Sequence, residues 1–327
     1  MARYERILLT GGAGFVGSHL APALAADYPQ AKRAMLTLKG SDGAIDPAWE
    51  RLDGDLLDAE AVEQTIEKFR PDLVAHLAGQ ASIALALHAG EATWRVNFCG
   101  SLNLASALAR HAPQAVVLFT SSASVYGASL KDGPAREETP IWPLDAYGRS
   151  KAAAEAMFGD VLGPEGRLIV VRPVNHTGPR QSPQNFVLSS FASQIAAIEA
   201  GRREPRLKVG DLAKARDFLD VRDVVAAYRA LIAQADKLSE PVSCFNVASG
   251  APVAIGDLLG GLRALARRPF EIEVETALLR PAAVDLPSVA LNAGKLEKAT
   301  GWRAAHSTQD MLAALIDYWR TVEAEKA

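Results

Sequence analysis

The sequence predicts an α/β protein, a doubly wound parallel sheet followed by a smaller C-terminal lobe. Three observations carry that prediction. From Ile7 to Pro173, short aliphatic runs alternate with helical stretches, the order that lays helices over both faces of a parallel sheet. A glycine-rich turn, Thr10-Gly11-Gly12-Ala13-Gly14-Phe15-Val16-Gly17, joins the first run to the first helix. After Pro173 the alternation loses its regularity, which marks the second lobe. The division expected is 1–173 with 213–248 for the sheet domain, and 174–212 with 249–327 for the lobe.

Ile7-Leu8-Leu9 reads as a strand buried on both faces, and Phe15, Val16, Leu20 and Leu24 begin a helical apolar stripe. A strand feeding a helix through such a turn aims backbone N–H groups and the positive helix end at one point. That point suits a pyrophosphate. Gly11 allows the tight turn, Gly14 a close approach of backbone to phosphate, and Gly17 close packing of helix on strand. The run satisfies GxxGxxG and, from Gly12, GxGxxG in the strand–turn–helix context that gives the motif its meaning.

The second strand, Ala34–Leu38, ends in Lys39-Gly40 rather than the acid that marks a preference for NAD; the first acid is Asp42. A lysine there welcomes a 2′-phosphate, so NADP(H) is expected, with NAD(H) the alternative. A solvated surface lysine is the competing reading of Lys39. Asp53-Gly54-Asp55-Leu56 follows a third strand and sets Asp55 and Leu56 beside the adenine. Glu60–Phe69 is helical, and Leu73–Ala78 is a fourth strand. Its end, Leu77-Ala78-Gly79-Gln80, lies at the carboxyl edge of the sheet, where α/β folds bind ligands. Trp94–Arg110 is a long helix containing Asn97. Val116–Phe119 is a fifth strand opening into Thr120-Ser121-Ser122-Ala123-Ser124-Val125-Tyr126-Gly127. A proline-flanked loop leads to Tyr147-Gly148-Arg149-Ser150-Lys151, and Leu168–Val171 is a sixth strand ending at Arg172-Pro173. Beyond it, Asn185–Ala200, Val221–Ala233, Ile255–Ala266 and Thr308–Tyr318 are helical, and Arg206–Val209 and Glu271–Val274 extended. Cys244–Val247 returns as a strand to the main sheet.

A net charge of -3 offers no basic surface for nucleic acid. No apolar run reaches the ~18 residues a membrane span needs, and the chain leads from Met1 straight into a strand. No signal peptide and no membrane association are expected, and Cys99 and Cys244 read as reduced core thiols of a cytoplasmic protein. The six histidines show no metal-ligand spacing, so no metal site is expected.

Tyr147 and Lys151 stand four apart at the start of a helix and share one face. A free phenol, with a pKa near ~10, is a poor proton donor and acceptor at neutral pH, and a nearby ammonium lowers that value. The same lysine can bond a cofactor ribose, and Ser122 at the end of the fifth strand can donate to the same substrate oxygen. The set fits hydride transfer at a carbinol or carbonyl carbon.

The glycine turn, the Thr120–Gly127 run and Tyr147-Gly148-Arg149-Ser150-Lys151 together resemble the extended short-chain dehydrogenase/reductase family of nucleotide-sugar enzymes, which has a Rossmann fold. The resemblance covers essentially the whole chain. It implies Ser122, Tyr147 and Lys151 as catalytic residues, with Asn97 supporting the lysine side. It also implies cofactor contacts from Pro173 and His176, although His176 reads equally as a packed loop histidine. Within the family, Arg172–Pro183, Val209–Leu212 and Arg216–Val225 resemble the corresponding segments of GDP-6-deoxy-D-mannose reductases and GDP-mannose 4,6-dehydratases. That resemblance gives Ser122, Ser124, Asn175, Arg180 and Val187 to the substrate and sets Arg216 and Arg280 on its diphosphate.

Two departures bear on the reaction. The dehydratases carry a glutamate base where this chain has Ser124, which disfavours dehydration. Ala283 stands where relatives often carry glutamate. The resemblance thus implies reduction of GDP-4-keto-6-deoxy-D-mannose at C4 to GDP-D-rhamnose. A nucleotide-sugar 4-epimerase, a 4,6-dehydratase and a non-catalytic NADP-binding regulator are the alternatives, the last disfavoured by the intact Ser122, Tyr147 and Lys151. It also implies a homodimer, the alanine-rich helix after Lys151 and the helix Trp94–Arg110 pairing across a twofold axis as a four-helix bundle. Leu102, Leu104, Ala105, Leu108, Met157 and Phe158 are the apolar residues expected to serve it, against a monomer whose alanines only favour helix.

Overall fold

The structure, a computed structural model, describes residues 4–40, 45–279, 281 and 285–326. Arg280, Asp42 and Ala283 lie outside the described residues. The first part runs β1 (Arg6–Thr10), α1 (Gly17–Asp27), β2 (Lys32–Thr37), β3 (Glu50–Asp53), α2 (Ala59–Phe69) and β4 (Leu73–His76). Short helices α3 (Ile83–His88) and α4 (Gly90–Trp94) pass through a π-helical turn, Arg95–Cys99, into α5 (Gly100–His111). Then come β5 (Val116–Thr120), α6 (Ala146–Val161) and β6 (Arg167–Pro173). The second part holds β7 (Asn175–Thr177), α7 (Val187–Glu199), β8 (Arg206–Val209), β9 (Ala215–Arg216), β10 (Phe218–Asp220), α8 (Val221–Gln234) and β11 (Val242–Val247). It closes with β12 (Val253–Ala254), α9 (Ile255–Leu265), β13 (Glu271–Val274), β14 (Ser288–Val289), α10 (Gly294–Thr300) and α11 (Thr308–Ala324).

Seven parallel strands form the central sheet in the order β3-β2-β1-β4-β5-β6-β11. The chain winds outward from β1 to β3, then crosses back to β4, so winding reverses between β1 and β4. Their carboxyl ends open a crevice there, the place where such sheets bind ligands. Strand β1 is aliphatic throughout because both of its faces are covered. Ile7 and Leu9 pack with Leu20, Leu24 and Tyr228 on one side, and Leu8 packs with Val62, Leu104 and Phe158 on the other. As expected from the sequence, the run at 244–247 returns to the sheet, beside β6.

The second part has its own core, in which Leu188, Phe191 and Ile195 of α7 meet Leu259 of α9 and Leu315 and Trp319 of α11. Small sheets hold its rim: β7 pairs with β10, β9 sits between β12 and β14, and β8 pairs with β13. Leu291, Leu296 and Trp302, late in the chain, pack instead on the first core.

Three readings of the sequence change. The helix expected over Trp94–Arg110 is interrupted by the π-turn. Cys99 is exposed rather than a core thiol, because it lies two residues from the buried Asn97 and so on the opposite side of that turn. Leu104, Ala105 and Leu108 are fully buried in the protomer's own core, as is Phe158, with Met157 nearly so. Most of the apolar surface expected on these helices is therefore buried within the chain, while Leu102 stays half-buried and Trp94 exposed. Among the described residues no helix is long and apolar enough to cross a membrane.

Candidate active site

A cleft of about 740 Å³ follows the carboxyl edge of the sheet and continues under the second part of the chain. Its floor is the glycine turn. Gly11 has φ +70°, and a β-carbon there would stand 2.6 Å from the Ala78 nitrogen. A β-carbon on Gly17 would collide with the backbone of Gly11 and Gly12. Gly14 donates its N–H to the Gly11 carbonyl at 3.0 Å, closing the turn. Helix α1 starts at Gly17 without a side-chain cap, the N–H groups of Ser18, His19 and Leu20 donating to the Gly14 and Val16 carbonyls. A cradle of close-packed glycines at an uncapped helix start fits a pyrophosphate.

At one end the cleft is lined by Leu36, Thr37, Leu38, Asp55 and Leu56. Lys39 is exposed and outside the lining, as is Arg180, which holds φ +71°. Phe15, Val16, Leu77, Ala78, Gly79, Pro173 and His176, the residues expected at the cofactor, all line the cleft. His176, on β7, lines the cleft and is packed, its ring stacked on Phe15 at 5.9 Å and its Nδ1 bonded to the Val174 carbonyl at 2.9 Å.

The structure brings Ser122, Tyr147 and Lys151 into this one cleft. Asp145 caps α6, its Oδ1 accepting the Gly148 N–H at 2.8 Å, and so fixes the turn on which Tyr147 stands. Ser122 lies beside Tyr147 in the lining, and its Oγ accepts the Ser124 N–H at 3.1 Å. Lys151 donates to the Thr120 carbonyl at 2.9 Å and lies 5.1 Å from the centre of the Phe119 ring. The electrostatics differ from the sequence expectation. Burial pushes the Tyr147 phenol up, against the lowering effect of Ser122, and Asp145 adds to the rise. Tyr147 therefore keeps its proton, the state an acid needs. Burial pushes the Lys151 ammonium down to about 8, while Glu155 acts to raise it.

Asn97 stands behind the cleft wall rather than in it. Its Oδ1 accepts the Gln80 N–H at 2.8 Å, and its Nδ2 donates to the Gln80 carbonyl and to Ser150 Oγ, both at 3.1 Å. Gly79 is confined between Asn97 and Lys151, since a β-carbon there would lie 2.9 Å from Asn97 Oδ1 and 3.3 Å from Lys151 Nζ. The π-turn displaces the helix at this point, a distortion common beside functional sites.

Sequence reasoning missed the buried network behind the site. Glu155, one turn after Lys151, accepts from Ser121 and pairs with Arg172 at 2.5 Å. Arg172 also donates to the Tyr126 hydroxyl at 2.9 Å, which donates to Asn246 at 2.8 Å. The available signal was an acid placed four residues beyond the lysine, hence on the same helix face.

Ser124 lines the cleft beside Ser122, and Asn175, Val187 and Arg216, from the second part of the chain, line it as well. Arg216 is fastened to Asp285 at 2.6 Å and donates to the Ala215 and Leu286 carbonyls at 2.8 and 2.9 Å.

Residues 7–248 match the NAD dependent epimerase/dehydratase family. The chain is 34% identical over 319 residues to GDP-6-deoxy-D-mannose reductase of Pseudomonas aeruginosa, covering 97% of this chain and 98% of the relative. It is 27% identical over 335 residues to UDP-glucose 4-epimerase of Azospirillum brasilense, covering 98% and 94%. Among solved structures, RMD from Pseudomonas aeruginosa complexed with NADPH aligns with a TM-score of 0.80 and 32% identity over 97% of this chain and 99% of that one. The Thermus thermophilus UDP-glucose 4-epimerase complex with NAD aligns with a TM-score of 0.82 and 28% identity, covering 96% and 99%. The sheet order, the glycine cradle and these likenesses agree, and the chain belongs to the NAD dependent epimerase/dehydratase family.

Proposed function

We propose that this protein reduces a 4-keto-6-deoxy nucleotide sugar at C4, with GDP-4-keto-6-deoxy-D-mannose the substrate and GDP-D-rhamnose the product. The observation that carries this reading is a single cleft holding Ser122, Tyr147 and Lys151 with serine, not a carboxylate, at position 124. Dehydration needs a base beside the ketone, whereas reduction needs a hydride and a proton. The likeness to a GDP-6-deoxy-D-mannose reductase supports the choice of sugar, and the likeness to RMD complexed with NADPH supports NADP(H) over NAD(H).

The glycine turn with Phe15 and Val16 would hold the cofactor's pyrophosphate, and Asp55 and Leu56 its adenosine end. When bound, the cofactor supplies the hydride. The protein does the rest. Ser122 donates a hydrogen bond to the C4 oxygen, and Tyr147, kept protonated by burial, delivers its proton there as negative charge develops. Lys151, anchored on the Thr120 carbonyl, holds a positive charge one helical turn from Tyr147 and lowers the cost of that developing charge. Arg216 takes the diphosphate, its guanidinium oriented by Asp285. The division of labour is 1–173 with 213–248 for the cofactor and 174–212 with 249–327 for the sugar nucleotide.

Purified protein incubated with GDP-4-keto-6-deoxy-D-mannose should oxidise NADPH stoichiometrically and form GDP-D-rhamnose. A 4-epimerase, the reading favoured by the UDP-glucose 4-epimerase likeness, would instead equilibrate UDP-glucose and UDP-galactose with no net cofactor use, and that result overturns the proposal. We further propose a homodimer through the outer faces of α4–α5 and α6, where Trp94 and Ala156 remain exposed. Light scattering at micromolar concentration should give a dimer mass that Ala156→Glu reduces to a monomer; a monomeric parent protein contradicts it.

A further inference from the structure

His76 ends β4 with its ring buried. Its Nδ1 lies 2.6 Å from Thr10 Oγ1 and its Nε2 lies 3.0 Å from Ser101 Oγ. The direction of each bond follows from counting protons. Ser101 donates its hydroxyl proton to the Asn97 carbonyl at 2.6 Å, so toward His76 it accepts, and Nε2 carries the hydrogen. Thr10 Oγ1 accepts the Ala78 N–H at 3.3 Å, which leaves the Thr10 proton for Nδ1. The chain then runs from Ala78 N–H through Thr10, His76 and Ser101 to the Asn97 carbonyl, with no proton missing and none in excess.

We infer that His76, neutral and in the Nε2–H tautomer, is a positioning residue that ties the glycine turn, the 77–80 loop and the Asn97 π-turn into one unit. These pieces come from β1, β4 and the turn leading into α5, far apart in sequence, and the His76 side chain adds a side-chain tie to the backbone pairing of β1 with β4. Asn97 transmits the constraint, since its side chain clamps Gln80 from both backbone atoms and reaches Ser150 beside Lys151. Protonation would place an N–H against the Thr10 hydroxyl proton, forcing that hydroxyl to turn and break the chain. The surroundings oppose it as well. Phe119 on β5 and Phe158 on α6 cover the ring, and the charged neighbour is the Lys151 ammonium. Burial, with Lys151, pushes the imidazole down to about 3.

The kinetic part of the test rests on the proposed reduction; the spectroscopic part does not. With the imidazoles of the full-length protein labelled with 15N, His76 should show a protonated Nε2 and a bare Nδ1. Neither signal should titrate between about pH 8 and about pH 5, where an ordinary histidine does. An Nδ1–H tautomer, or a titration in that range, overturns the inference. Ser101→Ala should shift the Gly79 and Gln80 amide signals and lower kcat for the keto sugar about tenfold, with KM for NADPH little changed. Unmoved Gly79 and Gln80 signals overturn the positioning role. If that variant does not fold, the spectrum of the unmodified protein still decides the tautomer on which the chain depends.

Discussion

The two long walls of the cleft are built on different principles. On the sheet side, position is set by backbone. Gly11 and Gly17 leave no room for a β-carbon, and every contact in the turn lies within a few residues or one strand away. On the opposite side, position is set by charge across long stretches of chain. Arg216 sits on a two-residue strand and is held by Asp285, separated from it by 69 positions. A wall made of backbone tolerates no side chain, whereas a wall made of ion pairs tolerates change in graded steps.

The largest effect should come from the sheet wall. Gly17→Val would drive a branched side chain into the Gly11 and Gly12 backbone, and calorimetry should find NADPH binding abolished. Retained binding would mean that the turn yields and that the contrast drawn here is false. Tyr147→Phe removes one proton and no carbon, and should lower kcat by about 10²–10⁴-fold while leaving NADPH affinity in place.

Arg216→Lys probes the other wall. It keeps the charge but loses the planar fork, and should raise KM for the sugar nucleotide about tenfold, roughly 1.4 kcal/mol, without altering cofactor affinity. An equal loss of cofactor affinity would show the walls to be coupled.

The smallest effect is the pH response of Lys151. Its folded pKa, about 8, lies below the unfolded value of 10.5, so the ammonium is charged below that pH and neutral above it. Activity should decline on the alkaline side as the charge is lost. Stability should move the opposite way: between these two values the unfolded chain binds more protons, so rising pH favours the folded state. Rate and thermal melting measured across the same buffers check both signs.

The same contrast explains what could be read from the sequence. Strand β1, the glycine turn and the Tyr147–Lys151 pair are defined by neighbours a few residues apart, and period and spacing reveal such features. The return of Cys244–Val247 to the sheet was also legible, as a short run carrying Cys244, Phe245 and Val247 at strand length. The Arg216–Asp285 and Glu155–Arg172 pairs were not, because nothing local distinguishes a buried arginine from a surface one. The π-turn was invisible for a related reason: Arg95–Cys99 carries no glycine or proline to mark a break, and only the packing of Asn97 against Gln80 and Ser150 shows why the ladder bulges. Burial likewise reversed the expected shift of Tyr147, a quantity that requires the folded surroundings.

The central claim is net hydride delivery to C4, with the proton supplied by Tyr147. Its most direct test is isotope transfer from NADPH carrying two deuterium atoms at the nicotinamide C4 to GDP-4-keto-6-deoxy-D-mannose. The account predicts one deuterium at C4 of the hexose in GDP-D-rhamnose, one NADPH oxidised per product, and near-complete loss of transfer in Tyr147→Phe. Unlabelled product, or an unchanged rate in that variant, would contradict it.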